Sequence, residues 1–314
     1  MFTVFRALSY QSIWDMQKFK PCRVLLFISA ITLVSVARCE RENEDQQIVP
    51  FIRYSFFVAG HVYGKPGVDN IGFHPPFRQK FDLIKNDSSI KFGVLTGDIV
   101  SSGTTTNWDE IDRDVEELGI EVHFTVGNHD MSDRKLFETR YGRTFYSYSY
   151  NKDLFIVLDP NLDGWNISHE QLQFLKDELK QKSADADHVF VLFHQVLWWA
   201  EDNIFKNVDI NSLDGRADTI NYWDEVEPLF HSLPLPVFLF AGDVGAFATG
   251  DEFMYYRYDN ITLITSGMGG EVRDNFVIVD VYSDKTISFR LIALNGSDIN
   301  ALGKLEDYRL EEKK

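Results

Sequence analysis

Cysteine is almost absent from this sequence. Its two cysteines, Cys22 and Cys39, both lie near the start, so the rest of the chain has no disulfide and no thiolate ligand for a metal. Basic residues are also scarce: 31 lysines and arginines stand against 48 aspartates and glutamates, a formal net charge of -17. Because so acidic a chain repels a phosphate backbone, we expect no nucleic-acid partner.

Apolar runs long enough to span a membrane are lacking too. The run at 24–37 is short for a spanning helix and follows a basic stretch at 18–23, a pattern typical of a signal peptide. We predict that residues 1–39 are a signal peptide or, if uncleaved, an N-terminal anchor that is the protein's membrane contact. The protein is therefore expected to be exported: secreted, periplasmic or membrane-anchored. Residues 40–48 are predicted to be a charged linker.

The remaining sequence alternates between apolar runs and amphipathic helical patterns. Continuous apolar runs are typical of strands that are covered on both faces. Such runs lie at 52–58, 91–97, 121–126, 154–159, 188–193, 236–241, 261–266, 276–282 and 286–293. The alternation predicts one α/β domain over residues 49–305, followed by a charged C-terminal tail at 306–314.

Helix boundaries are indicated by capping residues. Asn107 is predicted to cap the helix that follows it, and Gly119 to end that helix. Ser168 and Gln171 are predicted to form a capping box at the start of another helix.

Polar residues follow four of the predicted strands directly. Asp98, the run Gly127–Asp130, His194 and Asp243 each stand at the carboxyl end of an apolar run. In an open α/β sheet, ligands bind at this edge. Carboxylate, amide and imidazole groups together suit Mn, Fe or Zn. The sequence therefore predicts a metal site here.

The order and spacing of these motifs, from about residue 52 to 270, resemble the calcineurin-like metallophosphoesterase family. The resemblance implies a four-layer α/β sandwich in which two mixed β-sheets are flanked by helices. It also implies a metal-dependent hydrolase that acts on a small phosphate-ester substrate. Ser101 stands where purple acid phosphatases have a tyrosine ligand, which argues against that branch of the family.

Carried over residue by residue, the resemblance implies that one divalent metal (Mn, Fe or Zn) is held tightly by four residues: Asp98, Asn128, His194 and Asp243. Asp243 stands where the family has a histidine, and a carboxylate also binds such metals. His129 is implied to be the general acid that protonates the leaving oxygen. Asp130 is implied to orient the His129 ring through a hydrogen bond.

A second metal position is depleted in this chain. Ala59 stands where the family has aspartate, and Gly245 stands where it has a second histidine, which leaves only His61 and Asp98. Two protein ligands bind an ion weakly, so this site is expected to be weak or absent. Three residues of the following loop could fold back and supply a replacement ligand: Tyr63, Asp69 and His74.

The loss of these two ligands leads to one expectation and one alternative. Changing Ala59 to Asp together with Gly245 to His is expected to rebuild the second position, unless Gly245 needs a positive φ. The alternative to an enzyme is a catalytically impaired protein of the same fold that serves as a binding module.

Overall fold

The structure, a computed structural model, describes residues 49–247 and 254–310. The predicted signal peptide or anchor at 1–39 and the charged linker at 40–48 lie outside the described residues and stay predictions. In the described ranges, no helix combines the length and the apolar character needed to cross a membrane.

The strands of the described chain are β1 (Ile52–Ala59), β2 (Ile90–Thr96), β3 (Glu121–Thr125), β4 (Tyr146–Tyr150), β5 (Asp153–Val157), β6 (His188–Phe193), β7 (Val237–Ala241), β8 (Met254–Tyr258), β9 (Ile261–Thr265), β10 (Asn275–Tyr282) and β11 (Ile287–Ala293). The α-helices are α1 (Pro75–Arg78), α2 (Phe81–Asn86), α3 (Thr105–Leu118), α4 (Arg134–Tyr141), α5 (His169–Lys182) and α6 (Glu227–His231), and a π-helical turn, Tyr222–Val226, leads into α6.

The strands form two mixed sheets. The first has the order β11-β10-β1-β2-β3, in which β1, β2 and β3 are parallel and β10 is antiparallel to both of its neighbours. The second has the order β4-β5-β6-β7-β9-β8, with four parallel strands between two antiparallel edge strands. Both sheets therefore direct the carboxyl ends of several parallel strands to one edge.

Three buried apolar layers hold the sheets and helices together. Residues of alternate parity in β1 point in opposite directions: Phe56 packs between the sheets, whereas Phe57 packs against the first sheet's helices. A third apolar cluster lies between the second sheet and its helices, around Trp165 and Leu175. The layers therefore follow the order helix, sheet, sheet, helix, which confirms the predicted four-layer α/β sandwich.

Two strands escaped the sequence prediction. β4 reads Tyr-Ser-Tyr-Ser-Tyr and β8 reads Met-Tyr-Tyr-Arg-Tyr, and both are edge strands of the second sheet. Serines in β4 and Arg257 in β8 interrupt the pattern, so neither edge strand gives a continuous apolar run.

The predicted helix caps are only partly correct. Gly119 follows α3 with φ +71°, as predicted, but the Thr104 side chain, rather than Asn107, caps the start of this helix. The capping box at Ser168 and Gln171 is wrong. The Gln171 side chain instead bonds both the N–H and the C=O of Asp159, a buried contact away from the helix end.

The folded part continues beyond residue 305. Leu305–Tyr308 forms a 3-10 helix with Leu305 fully buried, and Arg309 bridges to Tyr255 of β8. The segment predicted to be a tail therefore packs on the second sheet at least to residue 310; residues 311–314 lie outside the described residues.

Phe56 is expected to anchor the layer between the sheets. Its ring centroid lies 5.3 Å from that of Phe92, 5.2 Å from that of Phe155 and 5.0 Å from that of Phe190. Phe56→Ala should lower the free energy of unfolding by about 3–5 kcal/mol in urea denaturation. Phe51→Ala, a matched change at a side chain that is 63% exposed, should cost less than about 0.5 kcal/mol. Equal losses would contradict this description of the core.

Candidate metal centre

The predicted site residues follow strands from both sheets. His61 follows β1 after Gly60, and Asp98 follows β2 after Gly97. His194 follows β6 of the other sheet directly. Gly242 and Asp243 follow β7 in the same way. The carboxyl ends of the two sheets therefore meet, and this meeting assembles residues that are far apart in the sequence.

Glycine makes this close approach possible. Gly97 has φ +80°, and a Cβ atom there would lie 2.6 Å from Cγ and Nδ1 of His194, on the other sheet. A Cβ atom on Gly127 would overlap the Asp98 carboxylate. A side chain on Gly97 would push the two sheets apart, and one on Gly127 would displace Asp98, so both glycines are needed for steric reasons as well as for turning.

Asp98 lies at the centre of the site and is buried. Its Oδ2 atom is 3.4 Å from Nε2 of His194 and 3.6 Å from Nε2 of His61. Its Oδ1 atom accepts a hydrogen bond from the backbone N–H of His129 at 3.1 Å. Burial favours the neutral acid, but the nearby charges of His194 and His61 outweigh it and hold the pKa of Asp98 below its usual range.

Two of these residues have strained backbones. Asp98 has φ +49° and His61 has φ +53°, a left-handed conformation that costs a residue with a side chain about 1–3 kcal/mol. Such strain persists where the surroundings fix the residue, and it is concentrated at functional sites. Both residues use it to turn a side chain into the centre immediately after a strand.

His194 and Asp243 complete a possible metal-binding triad with Asp98. One ligand atom of each residue lies within 4.8 Å of the other two, and all three residues are buried. Nδ1 of His194 donates to the backbone oxygen of Thr96 at 2.9 Å, which leaves Nε2 facing the carboxylates. Nε2 lies 3.6 Å from Oδ1 of Asp243.

The donor atoms of this triad fit a divalent cation. Nε2 of His194 and Oδ2 of Asp243 are buried without a hydrogen-bond partner among the described residues, which is costly for polar atoms. Burial lowers the pKa of His194, but the carboxylates of Asp98 and Asp243 outweigh it and raise the pKa to about 10. Burial raises the pKa of Asp243 to about 7. The centre thus concentrates acceptors and negative charge where a cation would stabilise them.

His61 is placed as predicted, next to Asp98. Its Nδ1 atom donates to the backbone oxygen of Met268 at 2.8 Å, and burial lowers its pKa to about 4, which favours a neutral imidazole. Ala59, the residue that offers no ligand atom, is buried at the end of β1. The structure therefore brings His61 and Asp98 together and offers no ligand atom at Ala59; their role as ligands of a second metal stays a prediction.

The three loop residues that could supply a replacement ligand do not all reach this position. His74 is paired with Asp274, with Nε2 3.0 Å from Oδ2, and Asp69 is exposed. Tyr63 does lie in the site: its ring centroid is 4.3 Å from that of His61 and 5.1 Å from that of His129. The Tyr63 ring thus packs between the rings of His61 and His129.

Gly245 has a structural reason to be glycine. Its φ is +98°, and a Cβ atom there would lie 2.9 Å from the carbonyl carbon of Gly267 and from the nitrogen of Met268. The expectation that Gly245→His, with Ala59→Asp, would rebuild the second metal position is therefore wrong. Main chain already occupies the space through which a histidine side chain would have to leave the backbone.

The adjacent residues His129 and Asp130 point in different directions. Nδ1 of the half-buried His129 donates to the backbone oxygen of Ser101 at 2.8 Å. Oδ1 of Asp130 accepts from the N–H groups of Ile99 and Val100, and its Oδ2 accepts from that of Gly127. The prediction that Asp130 orients the His129 ring is wrong, because Ser101 makes that contact. Asp130 instead ties the loop after β2 to the loop after β3.

Sequence reasoning missed the backbone groups of the site. The carbonyl oxygens of Thr96, Ser101 and Met268 each fix one imidazole, and no residue type signals such a role. Asn128 is half-buried between Gly127 and His129, and its metal-binding role stays a prediction.

Comparison with known proteins agrees with this fold. The calcineurin-like phosphoesterase family matches residues 61–216, and the chain belongs to this family. No curated protein sequence matches it. Its fold is similar to that of PPD1, a purple acid phosphatase from yellow lupin (Lupinus luteus) seeds, with a TM-score of 0.57 and 13% identity over 78% of this chain and 52% of that one.

A second similar structure is a putative 5'-nucleotidase from Staphylococcus aureus, with a TM-score of 0.48 and 13% identity over 78% of this chain and 55% of that one. The chain spans about half the length of these two solved structures.

Gly245→Ala should lower the free energy of unfolding by more than the strain of its positive φ alone would. A matched control is Gly215→Ala, because Gly215 has φ +74° but no atom within 4 Å of an added Cβ. Left-handed strain of about 1–2 kcal/mol should apply to both variants. The clash with main chain should cost Gly245→Ala about 1–3 kcal/mol more in urea unfolding. The same loss in both variants would refute the proposed steric exclusion.

Proposed function

We propose that this protein is an exported hydrolase of small phosphate esters that works with one tightly bound divalent metal. One observation supports it above all: Asp98, His194 and Asp243 converge in a buried cluster where Nε2 of His194 and Oδ2 of Asp243 lack partners among the described residues. Family membership gives the reaction class. Export rests on the sequence pattern of residues 1–39.

The four predicted ligands would hold the metal: Asp98, Asn128, His194 and Asp243. Their nitrogen and oxygen donors suit Mn, Fe or Zn. When bound, the metal would act as a Lewis acid that polarises a phosphoryl oxygen and offsets the charge of the phosphate. His61 would contact the phosphate or a weakly held second ion.

His129 would supply the proton for the leaving oxygen. The bond from Nδ1 to Ser101 fixes the ring and leaves Nε2 as the atom that releases a proton from the charged imidazole. The bond from its backbone N–H to Asp98 ties this residue to the metal centre. The Tyr63 ring limits the space on one side of His129.

The second candidate function is a binding module of the same fold without turnover. It is favoured by the loss of two ligands, at Ala59 and Gly245, and by the main chain that lies against Gly245. Metal-loaded protein that binds inorganic phosphate but turns over neither phosphate monoesters nor diesters would select this function over hydrolysis.

One metal ion per chain is the expected stoichiometry. Protein loaded with Zn or Mn and then dialysed should retain about one ion by elemental analysis, and His194→Ala should lose it. His123→Ala is the matched control, because this histidine lies on β3 stacked on Tyr148, with ring centroids 3.9 Å apart. Two tightly held ions per chain, or retention of the ion by His194→Ala, would contradict the proposed centre.

His129→Ala should keep the metal and slow hydrolysis by about 10²–10⁴-fold, the usual range for losing a general acid. The loss should be larger for phenyl phosphate than for 4-nitrophenyl phosphate, because the poorer leaving group depends more on protonation. Equal slowing of both esters, or loss of the metal, would rule out this role.

Export can be tested apart from catalysis. The full chain expressed in a secreting host should reach the medium or periplasm, or stay attached to the membrane if residues 1–39 are not cleaved. A protein that lacks residues 1–39 should remain in the cytoplasm. Cytoplasmic recovery of both proteins would remove export from the proposal.

A further inference from the structure

The loop between β6 and the π-helical turn contacts the residue that replaces the family's histidine. Ile210 forms an antiparallel bridge to Val244. The backbone N–H of Asn211 donates to the backbone oxygen of Asp243 at 3.0 Å. The backbone of this loop is therefore bonded to the segment that follows β7 and carries Asp243.

The Asn211 side chain uses only half of its hydrogen-bonding capacity in the described chain. Its Oδ1 atom accepts from the backbone N–H of Ala246 at 2.7 Å. Its Nδ2 atom is buried without a hydrogen-bond partner among the described residues. An amide held at one end in this way has a fixed orientation, so its buried N–H groups are a donor in a defined place.

The Asp243 carboxylate has the complementary arrangement. Its Oδ1 atom faces the centre, 3.6 Å from Nε2 of His194, whereas its buried Oδ2 atom has no hydrogen-bond partner among the described residues. The antiparallel bridge between Ile210 and Val244 and the bond from the Asn211 N–H to the Asp243 carbonyl place Asn211 directly opposite Asp243. A fixed donor and an unmatched acceptor thus lie beside each other.

A metal ligand needs such a contact to be held in place. His194 shows the pattern, since one ring nitrogen bonds the Thr96 carbonyl and the other faces the centre. An aspartate side chain has no ring N–H to donate in this way, but its second carboxylate oxygen can accept a hydrogen bond. A histidine ligand is therefore held by a neighbouring hydrogen-bond acceptor, whereas Asp243, in the place of a histidine, needs a neighbouring hydrogen-bond donor.

We propose that Asn211 is a positioning residue that binds Oδ2 of Asp243 through Nδ2 and thereby directs Oδ1 toward the metal. This inference rests on the proposed metal centre. It makes the loop after β6 part of the metal site, although the loop supplies no ligand itself.

The test is titration of the full protein with Co²⁺, followed by calorimetry and by visible absorption, which reports the ligand geometry. Asn211→Ala and Asn211→Asp should bind Co²⁺ about 10–100-fold more weakly than wild type and shift its spectrum. Asn211→Asp keeps the acceptor for Ala246 and removes the donor. Asn207→Ala is the matched control, because its amide bonds the Ile204 carbonyl within the same loop.

A double-mutant cycle separates positioning from a general structural role. In an Asp243→Ala background, Asn211→Asp should weaken Co²⁺ binding no further. Unchanged affinity and spectrum in both Asn211 variants, or additive losses in the cycle, would overturn the role of Asn211 while leaving the metal centre standing. Wild-type protein that binds no Co²⁺, Zn²⁺ or Mn²⁺ would overturn the proposed function and this inference with it.

Discussion

The buried carboxylate of Asp98 is the contact on which the site depends. It is reached from both sheets, by His61 and His129 from the first and by His194 from the second. The contact requires the strand ends to lie close together, which is possible because Gly97, against His194, and Gly127, against Asp98, have no side chain. Gly97 lets the two sheets meet, and Gly127 leaves room for the Asp98 carboxylate, so the fold and the charged cluster depend on the same steric requirement.

The two halves of the site differ for a physical reason. On one side, His194 and Asp243 keep buried donor atoms without partners among the described residues. On the other, Ala59 offers no ligand, and main chain lies against Gly245 where a side chain would start. These changes concern one metal position of the family and leave the triad of the other in place. They are consistent with the proposed mononuclear centre and with the proposed role of Asn211 in orienting Asp243.

The sequence predicted the layered α/β fold and pointed to the residues that cluster as Asp98, His194 and Asp243, because both depend on local patterns. Apolar runs give the buried strands, and the polar residues just after them are the candidate ligands. Contacts between distant segments were beyond this reasoning. Asp130 follows His129 in the chain yet bonds the loop after β2, and the Ser101 carbonyl holds the imidazole instead. The edge strands β4 and β8 were missed because their exposed sides break the apolar pattern.

Anomalous X-ray diffraction from crystals of the zinc-loaded protein, measured at the zinc absorption edge, would test the central claim most directly. The account predicts a single strong peak in contact with the side chains of Asp98, His194 and Asp243, with no peak of comparable height beside His61. Two peaks of equal height, or one peak away from these three side chains, would contradict it.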